Sequence, residues 1–425
     1  MNETLEQVAV LAGLDQTDAV CWRRQWDESG ATFSPGAAEQ FYLQPAWIEQ
    51  TGLELDWPAD VRAALRAGLD LFQRQPALRR LAWHCRHLLY VAPAGNMAAE
   101  LQKWPALPSA LHPAADLFYA YVFLAGLPLA LARHRELGVP PAVTRATFSD
   151  LPLWLRDYRE KHGRWGLREL QGTGWLYSHL CAKLFRLGRL QFQFEVFRQN
   201  FRIYRRVADG QTIMLAGPGQ VIRPDGRFDG ANGIFAGADA WTTAWPGGSG
   251  GLAGHPVDPR GFIRRAVMTL DPADWQGVLA SGDPVLGIHI PAGEPLTPDA
   301  CGASLSAAAE FFPKYFPASA ARVFTCATWL FDAQFEQYLP PNSNIVQFLR
   351  QFYLFPVPGA NDRQTLERVC GRGFTAPADM PRKTSLQRVV ADHMAAGGRW
   401  YLTGGFLLMD DVARWGRAPY RAGTG

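Results

Sequence analysis

One histidine stands alone among apolar residues in a short segment with the composition of a buried strand. The segment runs from Pro284 to Pro291 as PVLGIHIP, and His289 is the one side chain in it that can exchange a proton. Imidazole accepts and releases protons near neutral pH, so His289 is a candidate for acid–base chemistry. A core histidine that is hydrogen-bonded to a backbone carbonyl is the other interpretation of the same pattern.

A serine pattern occurs in the glycine-rich part of the chain. Residues 247–251 read GGSGG and formally match G-x-S-x-G around Ser249. A nucleophile elbow needs a strand before the serine and a helix after it. Trp245 and Pro246 precede the serine instead, and the segment after it is not helical in pattern. A serine hydrolase is therefore an alternative that the local sequence does not favour.

The sequence gives less support to a metal site or to a cysteine nucleophile than to acid–base chemistry at His289. His84 and His87 are three residues apart, which could place two imidazoles on one helix face, but no third ligand is near them in the sequence. We therefore predict no metal site. Cys326 lies in an apolar strand pattern, and apolar surroundings raise the pKa of a thiol, which disfavours it as a nucleophile.

Charge and composition exclude some classes of partner. The chain has 425 residues with 42 basic and 39 acidic side chains, a net charge of +3, and no dense basic block, so we predict no nucleic-acid partner. The apolar run 117–132 is interrupted by Gly126 and Pro128, which predicts a core helix and no membrane partner. The six cysteines are widely spaced and the first residues include acids, which favours a cytoplasmic protein.

The periodicity of apolar residues divides the chain into two parts. Residues 1–145 show helical spacing broken by prolines and predict a helical N-terminal domain. Residues 146–425 continue with a helical stretch and then alternate strand and helix patterns. In this second part, helix starts are predicted at Thr297 with Pro298, at Asn342 or Ser343, and at the TSLQ capping box of Thr384. Asp271 with Pro272 predicts a further, short helix.

Strand patterns flank these helices, at 190–196, 284–290, 323–330, 353–357 and 399–409. The order of strands and helices, together with the segments LGRLQF (187–192), LGIHIP (286–291) and PPNSNIVQF (340–348), resembles the GNAT-like acyltransferase family. The resemblance implies an α+β protein: a helical N-terminal domain (1–145) followed by a GNAT-like domain (146–425), which has a mixed, mostly antiparallel sheet flanked by helices.

The resemblance also implies a reaction, in which an amine attacks a thioester and takes its acyl group. Acyl-CoA is the implied cosubstrate, and an acyl carrier protein is a second possible source of the thioester. The pantetheine arm would pair with the backbone beside Ile288 and Ile290, and the pyrophosphate would bind the helix start at Cys301, Gly302 and Ser304. His289 would be the general base.

The resemblance assigns roles to other polar residues in the same part of the chain. Ser343 and Asn344 would supply a proton or hydrogen bond to the departing thiolate, although both also suit plain helix capping. Tyr338 is a lower-ranked donor for the same role. Arg189, Gln191 and Trp329 would contact substrate.

The sequence departs from the family pattern at the phosphate loop. That loop usually reads Q/R-x-x-G-x-G/A, whereas residues 293–303 here have no such glycine pattern and add Glu294 and Asp299. Two carboxylates oppose a pyrophosphate. A donor carried by a protein, or a non-catalytic GNAT-like module that binds a ligand or partner, would accommodate this departure.

Overall fold

The chain folds into two compact units. A computed structural model describes residues 3–34, 40–167, 170–245, 252–371 and 376–421. Contacts within the chain divide it between Leu187 and Gly188, later than the boundary predicted at 145/146. The reason is that residues 146–187 pack on the preceding helices: the indole of Trp57 donates to the carbonyl of Phe148 (3.0 Å) and Arg156 pairs with Asp60 (2.6 Å).

The first unit is helical, as its apolar spacing predicts. Its buried aromatic and aliphatic side chains form one continuous core. The elements are α1 (Leu5–Leu11), α2 (Gln16–Ala19), α3 (Trp26–Ala31), α4 (Pro45–Glu54), α5 (Ala59–Ala67), α6 (Asp70–Arg74), α7 (Ala77–Arg86), α8 (Met97–Leu101), α9 (Phe118–Leu124), α10 (Leu127–Glu136), α11 (Pro141–Phe148), α12 (Asp150–His162), α13 (Leu170–Leu180) and the strand β1 (Leu184–Leu187).

One stretch of the first unit is apolar and long. Among the residues that the structure describes, Ala115–Glu136 is the helical stretch whose length and composition would suffice to cross a membrane. Within this stretch, 78% of the most apolar window is buried inside the protein. All seven residues of α9 are buried. This burial is what a core helix shows.

The second unit contains most of the strands. Its elements are β2 (Leu190–Val196), β3 (Phe201–Arg206), β4 (Thr212–Ala216), β5 (Val221–Ile222), β6 (Trp241–Thr242), β7 (Ala253–Asp258), β8 (Phe262–Ile263), β9 (Met268–Thr269), β10 (Trp275–Ala280), β11 (Pro284–His289), α14 (Pro298–Tyr315), β12 (Val323–Thr328), α15 (Phe335–Tyr338), α16 (Asn344–Leu349), β13 (Tyr353–Pro356), α17 (Arg363–Val369), α18 (Ser385–Ala395) and β14 (Thr403–Leu408).

The main sheet of this unit has the strand order β2-β11-β12-β14-β13. The pair β11/β12 is parallel, and the pairs β2/β11, β12/β14 and β13/β14 are antiparallel. Helix α14 connects the parallel pair and covers one face of the sheet, where Phe312 contacts Phe192 and Phe194 with ring centroids 6.1 and 5.2 Å apart. The expected α+β architecture with a mixed, mostly antiparallel sheet is confirmed.

A second sheet lies between β2 and β11 in the sequence. Its order is β10-β3-β4-β7-β8, with β9 paired to β7. It packs against β13: Tyr353 donates its hydroxyl to the carbonyl of Val257, and the rings of Phe355 and Phe201 are 5.5 Å apart. The helix predicted at Asp271 is wrong. Asp271 accepts from the backbone of Ala273 (2.9 Å) in a turn that leads into β10.

Candidate active site

The parallel strands β11 and β12 separate along their length. Their paired residues are Leu286 with Phe324 and Gly287 with Thr325. Each strand nevertheless keeps its outer neighbour to its end, because β11 stays paired with β2 as far as His289 and β12 stays paired with β14 as far as Thr328. Beyond Gly287 and Thr325 the two strands are no longer paired with each other, which leaves a gap in the hydrogen bonding of the sheet. An extended chain could add its own backbone hydrogen bonds in such a gap.

His289 lies at the open end of this gap, on the face of the sheet away from α14. Ile288 is opposite Phe192, which packs on α14, so Ile288 faces that helix. Successive residues of a strand point to opposite faces, and His289 therefore points to the other one. There it is opposite Gln191, which is buried, and its own side chain is 31% exposed. The imidazole is therefore partly exposed, although its Nε2 atom is buried, and it lies on a polar face.

A carboxylate that the sequence analysis did not identify lies beside the imidazole. Oε1 of Glu195, on β2, is 3.4 Å from Nε2 of His289. Gly287 makes this approach possible, since a Cβ built on it would be 2.4 Å from Cδ of Glu195. The alternation of Gln191, Gln193 and Glu195 on β2 was a signal for one polar face, but the pairing of β2 with β11 could not be derived from it.

Arg189 joins the start of β2 to the segment that follows β11. Its backbone N–H donates to Oγ of Ser304 (2.8 Å), and its guanidinium donates to the carbonyls of Pro291 (2.8 Å) and Pro295 (3.2 Å). The side chain is only 6% exposed. Arg189 thus holds the loop between β11 and α14 in place. Its predicted contact with substrate stays a prediction.

The first turns of α14 follow this loop. Thr297 caps the helix by accepting from the backbone of Ala300 (3.4 Å), as predicted. Cys301 and Ser304 are buried, and burial raises the pKa of the Cys301 thiol to about 11. Gly302 lies against the indole of Trp415, which donates to the carbonyl of Pro298 (2.8 Å). A cofactor at this turn would therefore be contacted by main-chain atoms rather than by these side chains.

Comparison with known proteins agrees with this geometry. Residues 184–407, more than half of the chain, match the GNAT-like C-terminal domain, and residues 48–182 match the N-acyltransferase N-terminal domain. The chain belongs to the GNAT-like acyltransferase family. A comparison with curated proteins finds no match.

Solved structures of acyltransferases share the fold of this family member. A mutant acyltransferase in complex with octanoyl-CoA is 25% identical, with a TM-score of 0.61, over 96% of this chain and 99% of that one. An acyltransferase in complex with decanoyl-CoA and teicoplanin is 24% identical, with the same TM-score, over 96% of this chain and 100% of that one. The protein is accordingly an enzyme of the N-acyltransferase class.

The remaining candidates lie at the end of β12 and on α15 and α16. Ser343 is the N-cap of α16 and accepts from the backbone of Val346 (3.4 Å), so the capping role is present. Asn344 is the first residue of that helix. Trp329 follows β12 directly and donates its backbone N–H to Gln364 (2.9 Å). Tyr338 donates to, or accepts from, Nδ1 of His393 (3.0 Å). The catalytic and substrate roles of these residues stay predictions.

Replacing Ser343 with aspartate separates capping from catalysis. Aspartate is as good an N-cap as serine but has no hydroxyl proton to give to a thiolate, so we expect unchanged stability and a roughly tenfold lower rate of thiol release. Thiol release and chemical denaturation measure the two effects. Ser343→Ala is the control, and it should lose about 1 kcal/mol of stability in addition. Full activity in Ser343→Asp would restrict Ser343 to capping.

The serine, metal and cysteine sites considered in the sequence gain no support from what the structure describes. Ser249 lies outside the described residues, so its surroundings are not addressed. The His84 ring is buried, with Nε2 2.7 Å from the carbonyl of Trp22 and Nδ1 2.7 Å from Oγ of Ser29, and burial lowers its pKa to about 3. Within the described ranges, no cluster of three potential metal ligands occurs. Burial raises the pKa of Cys326 to about 12, which keeps it a thiol at neutral pH.

Proposed function

We propose that this enzyme transfers an acyl group from acyl-CoA to the amine of a small-molecule acceptor, with His289 as the general base. The observation that carries the proposal is the gap between β11 and β12 with a partly exposed imidazole at the end of β11. A thioester whose pantetheine arm lies along Ile288 and Ile290 would have its carbonyl group near that imidazole.

The reaction that we propose has one bond-forming and one bond-breaking step. The amine nitrogen attacks the carbonyl carbon of the thioester, and His289 takes the proton that the nitrogen loses. The tetrahedral intermediate then collapses with cleavage of the C–S bond. The thiolate leaves as the free thiol after it takes up a proton, for which the Ser343 hydroxyl, with Asn344 beside it, is the candidate donor. Ser343 regains its proton from solvent, and His289 releases to solvent the proton that it took from the amine, so the enzyme returns to its starting state. The products are an amide and CoA.

The identity of the acyl donor is the finer part of the proposal. Structurally similar acyltransferases bind octanoyl-CoA, decanoyl-CoA and CoA, which supports CoA as the carrier here. The exposed carboxylates of Glu294 and Asp299 at the start of α14 act against a pyrophosphate. An acyl carrier protein, which presents no pyrophosphate diester of this kind, is the second candidate donor.

The acceptor is proposed from the same comparison and from the chemistry of the site. Two similar acyltransferase structures contain a glycopeptide, one with decanoyl-CoA and teicoplanin and one with CoA and 10C-Teicoplanin. We propose a polar primary amine, because the face around His289 carries Gln191, Gln193 and Glu195 rather than apolar side chains. Such a face suits an acceptor that is rich in hydroxyl and amide groups.

The test measures free thiol and amide product together. The purified protein is mixed with octanoyl-CoA or decanoyl-CoA and with primary amines such as glucosamine or a lysine-containing peptide. Thiol release that depends on the amine, with an amide of the expected mass, supports the proposal. The same assay with octanoyl carrier protein compares the two donors.

Two results would contradict the proposal. Binding of acyl-CoA in calorimetry without thiol release, for every amine, would favour the non-catalytic module. Thiol release from the carrier protein alone, with no turnover of acyl-CoA, would overturn the choice of donor and leave the acyl transfer itself intact.

A further inference from the structure

The carboxylate of Glu195 lies beside the imidazole of His289, and the adjacent strand has a glycine, Gly287, where a side chain would collide with that carboxylate. Glu195 is on β2, His289 is at the end of β11, and the two atoms that face each other, Oε1 and Nε2, are 3.4 Å apart. Both side chains are partly exposed, at 40% and 31%. This distance is longer than a well-formed hydrogen bond, and such contacts in unliganded active sites tighten when substrate binds.

Gly287 creates the space for this carboxylate. Glu195 pairs with Val285, and Gly287 is the next residue of β11 on the same face. A Cβ on Gly287 would be 2.4 Å from both Cδ and Oε1 of Glu195, which no real contact allows. Glycine weakens a strand interior, so its presence here needs a compensating reason. The geometry offers one reason: the absence of a side chain at Gly287 leaves a space between Val285 and His289, and the Glu195 carboxylate occupies this space, called here the carboxylate seat.

We propose that Glu195 is a positioning residue, which holds the imidazole of His289 at the opening of the gap and stabilises the positive charge that this imidazole gains from the amine. The inference rests on the proposed function. The proton moves from the amine nitrogen to His289, and Glu195 takes up none. A carboxylate behind a catalytic histidine stabilises the imidazolium in the same way in other enzymes.

The first test replaces the carboxylate with an amide of the same shape. Glu195→Gln should lower kcat about ten- to a hundredfold and leave the KM for acyl-CoA unchanged, because the carboxylate acts on the imidazole rather than on the donor. Glu195→Asp keeps the charge and should recover part of the rate. Glu310→Gln changes an exposed carboxylate on α14 and is the matched control, with the rate of the wild type.

The second test examines the seat and needs no activity. In the wild type the methyl group of Gly287→Ala must displace the end of the flexible Glu195 side chain, so the change in stability should be less favourable there than in a background without that carboxylate. In the Glu195→Ala background the same substitution has no carboxylate to displace, and it should be neutral or slightly stabilising. Chemical denaturation of the four proteins gives this double-mutant cycle. An equal effect of Gly287→Ala in both backgrounds would overturn the proposed seat.

The kinetic outcomes separate the two proposals. A wild type that transfers no acyl group overturns the proposed function and, with it, this role of Glu195. An active wild type with an unchanged kcat in Glu195→Gln overturns the role alone. Loss of activity in Glu195→Gln with full activity in His289→Gln would make the carboxylate itself the base, and that result also contradicts a positioning role.

Discussion

Replacing His289 with glutamine should lower kcat for acyl transfer about 10²- to 10⁴-fold, which is the usual contribution of a general base. Glutamine is similar in size and can occupy the same position on β11, but it cannot take a proton from the amine. In the proposed mechanism the donor lies along the backbone of the gap rather than on the imidazole, so its affinity should not change. Thiol release at saturating acyl-CoA measures the rate, and calorimetry measures binding.

A second histidine provides the control for this experiment. His162 is an exposed residue at the end of α12 in the helical unit, and His162→Gln should have the activity of the wild type. Retention of more than about a tenth of the activity in His289→Gln would show that the amine loses its proton to another group. That result would contradict the role of His289 as general base, but it would not contradict the proposed binding of acyl-CoA in the gap.

Truncating Trp400 to alanine should cost about 3–5 kcal/mol of the free energy of unfolding, as expected for a fully buried large aromatic side chain. Trp400 is 0% exposed, its ring stacks on Phe335 with centroids 4.4 Å apart, and its indole donates to the carbonyl of Val390 (3.3 Å). It therefore connects α18 to α15. Chemical denaturation followed by circular dichroism is the measurement, since it does not depend on tryptophan fluorescence.

The matched control is a large aromatic residue at the surface of the same unit. Phe235 is 73% exposed, and Phe235→Ala should change the stability by no more than about 0.5 kcal/mol. A cost for Trp400→Ala that is as small as that of Phe235→Ala would contradict the packing around α15 and α18. Activity of Trp400→Ala at low temperature would show that the residue acts on stability rather than on chemistry.

The parts of the fold that depend on neighbouring residues could be predicted from the sequence. Thr297, Ser343 and Thr384 each accept a hydrogen bond from the backbone three residues later, as the helix-start patterns indicate. The alternation in 190–196 identifies β2. These signals are short-range because caps and strand periodicity involve residues within a few positions of each other.

Features that depend on distant pairing were missed. Glu195 was not identified because its relation to His289 exists only once β2 and β11 are adjacent, and no local pattern states which strands pair. The contacts divide the chain at 187/188 rather than at the expected 145/146 for a similar reason: the helical spacing of residues 146–187 fits either unit, whereas their contacts with Trp57 and Asp60 place them with the first.

One disagreement between the family pattern and this chain remains instructive. The usual phosphate loop relies on glycine amides, whereas this chain holds the corresponding loop through Arg189 and the carbonyls of Pro291 and Pro295. A guanidinium that donates to backbone carbonyls stiffens the loop and keeps its positive charge, but it has fewer N–H groups left to donate to a ligand. The comparison of CoA with a carrier protein as donor is for this reason the most informative part of the transfer assay.

The insertion of the second sheet has a consequence for how the protein matures. Strands β2 and β11 are neighbours in the main sheet, yet strands β3 to β10 lie between them in the chain. Pairing between residues so far apart in sequence is slow compared with local helix formation. A ribosome that has released β2 must still synthesise the whole inserted sheet before β11 emerges. The enzyme therefore acquires its reactive centre only at a late stage of biosynthesis, and until then β2 has an edge open to other chains.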